Sequence, residues 1–184
     1  ALPIWTIVHR GETMPVKALA NSSYARSLAA LDQFHRTGLS PVAKARASGV
    51  FPEFGSLERF VRAASYTNPE GDPVARGFAA LDAVKDGMTK WSIVYDLSRG
   101  VVHFKTNTNP ALRHIRITRF DFSCRTPVRV LDITRAGRGN AEDGFVDYTL
   151  AANRALVEIQ SPDSSPGFKD RLAAHPERTS ICRS

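Results

Sequence analysis

A stretch of alternating residues in the second half of the chain most limits the folds open to it. Between Trp91 and Leu97 the large apolar side chains stand at every second position, and the turn Ser98-Arg99-Gly100 leads into a second apolar run from Val101 to Phe104. This alternation, interrupted by a glycine turn, predicts a β-hairpin. Helical patterns elsewhere in the chain must then pack on the hairpin's sheet. We therefore expect an α+β fold with antiparallel strands.

Three segments repeat apolar residues at helical spacing. The first follows Asn21-Ser22-Ser23 and ends near Gly38, the second covers Leu57 to Ala64 with Ser56 as its N-cap, and the third begins at Asp72-Pro73 and ends at Gly87. Serine or aspartate before the first turn, proline at the first helical position and glycine after the last turn are typical helix boundaries. The third segment carries the strongest signals.

Further strands are predicted from short apolar runs. Ile4 to His9 and Val16 to Ala20 are expected to form an antiparallel pair, and His114 to Thr118 and Val128 to Ile133 are expected to extend the hairpin's sheet. A long helix from Phe145 to Ile159 is expected to pack on that sheet.

The remaining segments set the domain organisation. Gly38 to Gly55 has prolines, glycines and little periodicity, which predicts a long loop. Residues 1–161 are expected to form part of one domain, and residues 162–184 a tail with one short helix around Phe168 to Ala174.

Composition excludes some classes and leaves others open. The chain has 184 residues and a formal net charge of +7, with no apolar run as long as a membrane span. A basic surface would suit nucleic acid, but no zinc-finger spacing or recognition helix accompanies the arginines, and an anionic small substrate would use the same field. The two cysteines, Cys124 and Cys182, give no disulfide framework. The compartment stays open between bacterial periplasm and cytoplasm.

Two polar residues stand out by position. Asn21 lies at a predicted strand-to-helix junction, where an amide can meet a ligand, although by sequence alone a turn or capping role fits it better. Arg59 falls three residues after the expected N-cap Ser56, where a capping box has Glu or Gln and a cation opposes the helix dipole. The alternative is a surface arginine whose charge reaches water.

A self-contained catalytic set is missing from the sequence. There is no phosphate-binding loop, dinucleotide-binding glycine pattern or clustered metal ligands, so we expect no cofactor and no metal. The scattered histidines leave a Cys124–histidine pair open as a nucleophile, although a buried thiol beside a strand fits Cys124 better.

Several ordered motifs resemble one known family. These motifs are Trp91 to Asp96 followed by Asn109-Pro110, Phe120 to Ser123, the junction Ala20-Asn21-Ser22 leading to Tyr24, and Ser56 to Ala63. They are similar to motifs of the linear amide C-N hydrolases, a family that includes choloylglycine (bile salt) hydrolase and penicillin V acylase. The resemblance covers Ile4 to Ile159.

The resemblance implies a fold and an activity. The family has a four-layer αββα N-terminal-nucleophile fold with two facing antiparallel sheets, of which this chain resembles the C-terminal half. It hydrolyses linear amides through an N-terminal cysteine whose own amine acts as the base. By position, Asn21 would donate to the oxyanion and Arg59 would hold the thiolate and its polar neighbours.

The resemblance also implies what this chain lacks. Residue 1 is Ala1, so the nucleophile would belong to a preceding segment, present as a second chain or missing. The implied partners are a small-molecule amide substrate, including anionic amides, and the N-terminal half of the same protein that would carry the nucleophile. Further copies in a homo-oligomer are also expected, whereas nucleic acid and a membrane are not. A non-catalytic interaction module or inactive fragment, and a basic nucleic-acid-binding domain, are the alternatives.

Overall fold

In the computed structural model, residues 11–40, 43, 54–67, 70–123 and 125–176 are described. The chain divides into two compact units, Ala1–Val94 and Tyr95–Ser184. Helices and antiparallel strands both occur, as the α+β prediction requires. Among the described residues, no helix has both the length and the apolar character needed to cross a bilayer.

Three helices organise the described part of the first unit. They are α1 (Tyr24–Thr37), α2 (Phe54–Ala64) and α3 (Pro73–Val84). Helix α1 ends where Gly38 takes a left-handed conformation with φ of 68° and its amide donates to the Phe34 carbonyl at 2.8 Å. Helix α3 begins at Asp72, whose carboxylate accepts a hydrogen bond from the Ala75 amide at 2.8 Å. Both boundaries confirm the sequence signals.

The apolar core of this unit lies between α1 and α2. Phe60 is fully buried, and Leu31 and Val61 join it in one cluster. The Tyr24 ring meets Phe60 edge to face, with ring centroids 6.0 Å apart. The predicted inward face of α2, with Leu57, Phe60 and Val61 buried, is confirmed.

Two local predictions in this unit are wrong. Helix α2 begins at Phe54, so Ser56 lies inside its first turn and is not the N-cap. Val16 to Ala20 forms no strand, because the Tyr24 hydroxyl occupies both backbone groups of Val16, accepting from its amide at 2.9 Å and donating to its carbonyl at 2.8 Å. The predicted partner Ile4 to His9 and most of the loop Gly38 to Gly55 lie outside the described residues.

The main sheet contains the predicted hairpin. Strands β1 (Trp91–Asp96), β2 (Val101–Thr106), β3 (Arg113–Arg116) and β5 (Gly139–Asn140) are neighbours in that order. Strands β2 and β3 are antiparallel, with Val102 opposite Ile115 and His103 opposite His114, whereas β3 and β5 are parallel. The hairpin and the strand near His114 are confirmed, although β3 gives way to a 3₁₀ turn at Ile117–Arg119.

The rest of the second unit departs from the prediction. Only Arg129–Val130 (β4) of the predicted strand Val128 to Ile133 is formed, and it pairs antiparallel with Val146–Asp147 (β6) in a separate sheet. Helix α4 (Leu150–Gln160) begins well after Phe145, because the Thr149 hydroxyl caps it by accepting from the Ala152 amide at 3.2 Å. Helix α5 (Pro166–Ala173) confirms the short helix near Phe168.

The packing of α4 also differs from expectation. None of its residues is buried, and its principal neighbour is α5. The side chain of Asn153 on α4 donates to the Ala173 carbonyl at 2.8 Å, and the Tyr148 hydroxyl donates to the same carbonyl at 3.2 Å. Polar contacts with α5 therefore take the place of the predicted apolar packing on the sheet.

Candidate functional site

Asn21 lies on an exposed turn just before α1. Its side chain makes no hydrogen bond to the part of the chain that the structure describes. The next residue is anchored, because the Ser22 amide donates to the Ser56 hydroxyl on α2 at 2.8 Å. Ser23 then acts as the N-cap residue of α1. The Asn21 amide group is therefore exposed on a turn whose backbone is fixed from α2.

Arg59 lies on α2, one turn after Ser56. One terminal nitrogen of its guanidinium is 3.3 Å from a carboxylate oxygen of Asp86, and its side chain is 38% exposed. Since α2 begins at Phe54, Arg59 is not at the third helical position, and the conflict with the helix dipole inferred from sequence does not exist. An ion pair of this exposure contributes little to folding. It does orient the guanidinium.

Asp86 is prepared to hold that guanidinium. Hydrogen bonds from the Thr89 hydroxyl and the Met88 amide, each 3.0 Å long, hold the pKa of Asp86 below its ordinary value, and the nearby charge of Arg59 lowers this pKa further. The carboxylate is therefore ionised at neutral pH. Its position is fixed by hydrogen bonds within its own turn, independently of Arg59.

A second arginine ties α2 to α3 and was not singled out from the sequence. Arg62 donates through Nε to the Glu58 carboxylate at 3.0 Å, and its Nη1 donates to the Ala83 carbonyl near the end of α3 at 3.4 Å. The Glu58 side chain is 11% exposed and that of Arg62 is 55% exposed, so the carboxylate is shielded while the guanidinium still reaches solvent. The spacing of Glu58 and Arg62 is the sequence signal that indicates it. Arg62 therefore serves packing of the helices.

The predicted site residues are linked through α2. Ser56 and Arg59 stand at i and i+3, which places their side chains on neighbouring parts of one helical face. Because Ser56 holds the residue that follows Asn21, the turn carrying Asn21 is joined to the helix carrying Arg59. Cys124 lies outside the described residues.

The second unit contains a buried cation that sequence reasoning missed. Arg113 is 4% exposed, its guanidinium lies 4.6 Å from the centre of the Phe104 ring, and its Nη1 donates to the Arg135 carbonyl at 3.1 Å. Burial lowers the pKa of Arg113, and the carboxylate of Asp132 acts in the opposite direction. The sequence shows only an arginine just before a predicted strand, which gives no signal of burial.

Metal-binding groups do not assemble in the described residues. No set of three or more histidine, cysteine, aspartate or glutamate side chains converges there. His103 and His114 face each other across β2 and β3, with ring centroids 5.9 Å apart. What the first unit offers instead is an exposed amide donor and an oriented guanidinium, two groups that stabilise negative charge.

Comparison with known proteins gives a fold. No protein-family model matches the chain, and no curated protein matches it. Thirteen chains of solved structures match, among them penicillin V acylase from Agrobacterium tumefaciens, at a TM-score of 0.51 and 24% sequence identity. The match covers 70% of this chain and 46% of that one. The chain therefore has an α+β fold similar to less than half of penicillin V acylase.

Proposed function

We propose that this chain is part of a hydrolase that cleaves a linear amide C–N bond. The similarity in fold to penicillin V acylase and the joined turn and helix carrying Asn21 and Arg59 support the proposal. The observation that carries it is the hydrogen bond between Ser22 and Ser56, since it links two motifs that lie 34 residues apart. The finer assignment is a cysteine amidase with an N-terminal-nucleophile αββα fold, related to choloylglycine hydrolase and penicillin V acylase.

The proposed reaction has two steps. A cysteine thiolate on another segment attacks the amide carbonyl, and the C–N bond breaks as the departing amine takes the proton that the α-amine had accepted from the thiol. The product of this step is an acyl-cysteine thioester. Water then attacks the thioester, releases the acid and returns the proton to the thiol. In the proposal the nucleophile is a cysteine that precedes the Asn21 turn, as the family resemblance implies. Cys124 and Cys182 both follow this turn, so the proposal assigns the nucleophile to another segment.

Asn21 and Arg59 have separate roles in this reaction. The Asn21 side chain donates to the oxyanion of the tetrahedral intermediate, a role suited to an exposed amide on a fixed turn. Arg59 lowers the pKa of the attacking thiol and holds polar groups around it. Its ion pair with Asp86 leaves its remaining N–H groups without a hydrogen bond to the described residues.

Anionic small amides are the substrate class we favour. Penicillin V, acylated amino acids, acyl homoserine lactones and bile-acid conjugates all fit a linear amide hydrolase. The net charge of +7 favours the anionic members through the long-range field. We propose no cofactor.

Nucleic acid is the less supported partner. Arg116 and Arg119 both pair with Glu142, at 3.3 and 3.5 Å, and Arg129 lies 3.9 Å from a carboxylate oxygen of Asp147. These three arginines are among the 25 lysine and arginine residues that give the chain its positive net charge. Carboxylate partners reduce the charge left for phosphates.

A second half of the same protein is the proposed macromolecular partner, together with further copies of the assembled enzyme. Exposed apolar side chains support a partner: Leu97 is 85% exposed and Phe122 is 78% exposed. Native mass spectrometry of the purified protein tests this. A co-purifying chain or segment that begins with cysteine is the expected result, and this chain alone with full amidase activity would contradict it.

The Asn21→Asp variant of the full-length enzyme tests the oxyanion role. The change keeps the size of the side chain, removes the N–H donor and adds a negative charge, so we expect kcat on a panel of penicillin V and acylated amino acids to fall at least about 10²- to 10³-fold. Lys17→Ala, at an exposed neighbouring position, is the matched control and should leave turnover unchanged. Unchanged turnover in Asn21→Asp would remove Asn21 from the mechanism.

A further inference from the structure

The Ser56 hydroxyl makes a contact that helix formation does not require. Ser56 is the third residue of α2 and is half-buried. Its oxygen accepts the Ser22 amide at 2.8 Å, at the short end of the usual range for an N–H···O bond. A serine inside a first turn often bonds within its own helix, but this one reaches across the unit to the turn before α1.

That contact fixes the backbone of Asn21. The Ser22 amide belongs to the same planar peptide unit as the Asn21 carbonyl, so holding the N–H sets the orientation of the plane on which Asn21 ends. The chain on the far side is also held, because the Ser23 carbonyl accepts from the amide of Ser27 at 3.0 Å and from its hydroxyl at 3.1 Å. The exposed Asn21 side chain therefore projects from a constrained backbone.

The same contact places Asn21 relative to Arg59. Ser56 and Arg59 are i, i+3 neighbours on α2, and Arg59 is itself oriented by Asp86. One hydroxyl thus joins the turn that carries the Asn21 amide to the helix that carries the Arg59 guanidinium. Donors that stabilise a transition state must be in position before charge develops, and small displacements reduce the rate steeply.

We propose that Ser56 is a positioning residue that holds Asn21 in the geometry needed to donate to the oxyanion. This inference rests on the proposed function, because it assigns Ser56 a role through Asn21. Ser56 touches neither substrate nor nucleophile in this assignment. Its removal therefore affects the transition state more than substrate binding.

Steady-state kinetics of the full-length enzyme test the inference, with the best substrate of the penicillin V and acyl amino acid panel. Ser56→Ala should lower kcat about 10- to 100-fold with KM changed less than about twofold, because the ground-state contacts of the substrate remain. Ser56→Thr keeps a hydroxyl and should recover most of the rate. Ser23→Ala is the matched control, since the Ser23 side chain makes no capping bond. A Ser56→Ala enzyme with unchanged kcat would overturn the proposal.

A double mutant separates positioning from a general loss of structure. If Ser56 acts through Asn21, the Asn21→Asp/Ser56→Ala enzyme should be no slower than Asn21→Asp alone. Independent, multiplying losses would overturn the positioning role while leaving the oxyanion role of Asn21 intact. An unchanged kcat in Asn21→Asp would instead overturn the oxyanion role itself, and the Ser56 inference with it.

Amide hydrogen exchange gives a readout that needs no activity. The Ser22 amide should exchange at least about tenfold faster in Ser56→Ala than in the parent or in Ser23→Ala, while the amides of α1 and α2 keep their protection. Unchanged exchange at Ser22 would show that the hydroxyl does not hold this turn, and the proposal would fail.

Discussion

The two units of the chain are stabilised in different ways. In the described part of the first unit, buried apolar side chains come from all three helices, among them Leu31, Phe60 and Phe78. In the described part of the second unit, Phe104 and Ala173 are the buried apolar residues. The second unit instead leaves many large apolar side chains exposed: Tyr95, Leu97, Leu112, Ile117, Phe122, Val128, Val130, Val146, Leu156, Ile159, Phe168 and Leu172.

Polar contacts take over where the second unit lacks a core. Asp121 accepts the amide and hydroxyl of Ser123, Asp132 does the same for Thr134, and Asn140 accepts the Glu142 amide. Such local bonds define loops but bury little apolar area. The difference teaches that the proposed catalytic groups belong to the unit with its own core. The unit with exposed apolar side chains is the one that the proposed partner would cover.

Removing the centre of the apolar core should have the largest effect. Phe60→Ala should lower the free energy of unfolding by about 3 to 5 kcal/mol, because it deletes a fully buried ring and leaves a cavity. Urea denaturation measures the change, and hydrogen exchange should locate it in α1 and α2. Leu19→Ala, at a position 73% exposed, is the control. A loss below about 1 kcal/mol would contradict an independent core in the first unit.

Removing a polar bridge should weaken the second unit by less. The Asn109 side chain donates to the Arg135 and Gly137 carbonyls at 2.9 and 3.0 Å and accepts from the Ala111 amide at 3.1 Å. Because the bridge is partly exposed, Asn109→Ala should cost about 1 to 2 kcal/mol in urea denaturation. Asn107→Ala, at an exposed position, is the matched control. Equal effects of the two changes would show that this bridge does not hold the loop.

Acidification should have the smallest of these effects, and it should lower the stability of the second unit more than that of the first. Hydrogen bonds, first from the hydroxyls of Ser98 and Thr134, lower the pKa values of Asp96 and Asp132. Burial raises the pKa of Glu142, but hydrogen bonds outweigh this effect, and the bond from the Arg116 amide is the largest of them, so the pKa of Glu142 is lowered overall. Asp86 is the corresponding carboxylate in the first unit.

The sign of the pH effect follows from these directions. A carboxyl with a depressed folded pKa stabilises the fold above its unfolded pKa, about 4, and loses that contribution as pH falls through the folded value. Amides of the second unit should therefore lose protection first below about pH 4, as NMR-detected exchange can show. Glu142→Gln should reduce this acid sensitivity. Earlier loss of protection in the first unit would contradict the comparison.

The sequence predicted elements whose signals are local. Gly38 ends α1 and Asp72-Pro73 begins α3 because each acts through neighbours a few residues away. The hairpin was equally predictable, since the turn and both strands are contiguous. Boundaries set by distant contacts were not. Ser56 has the sequence of an N-cap, but its hydroxyl bonds a residue 34 positions away.

The same distinction applies to strands and to the site. The pairing of Arg129–Val130 with Val146–Asp147 and the parallel pairing of β3 with β5 depend on contacts that no local pattern encodes. For the site, the sequence singled out Asn21 and Arg59 and the resemblance assigned their roles, which stay a proposal. The sequence did not reveal Asp86 as the partner of Arg59, because an aspartate after a helix is an ordinary residue until the fold brings it there.

The hydrogen bonds between Tyr24 and Val16 have a consequence for the register of the segment from Met14 to Ala20. Burial alternates from Met14 to Ala20, so sliding this segment by one residue would exchange its inward and outward side chains. The phenol oxygen serves the amide and the carbonyl of one residue, and so it selects Val16 over its neighbours. A residue on α1 therefore fixes the register of this segment.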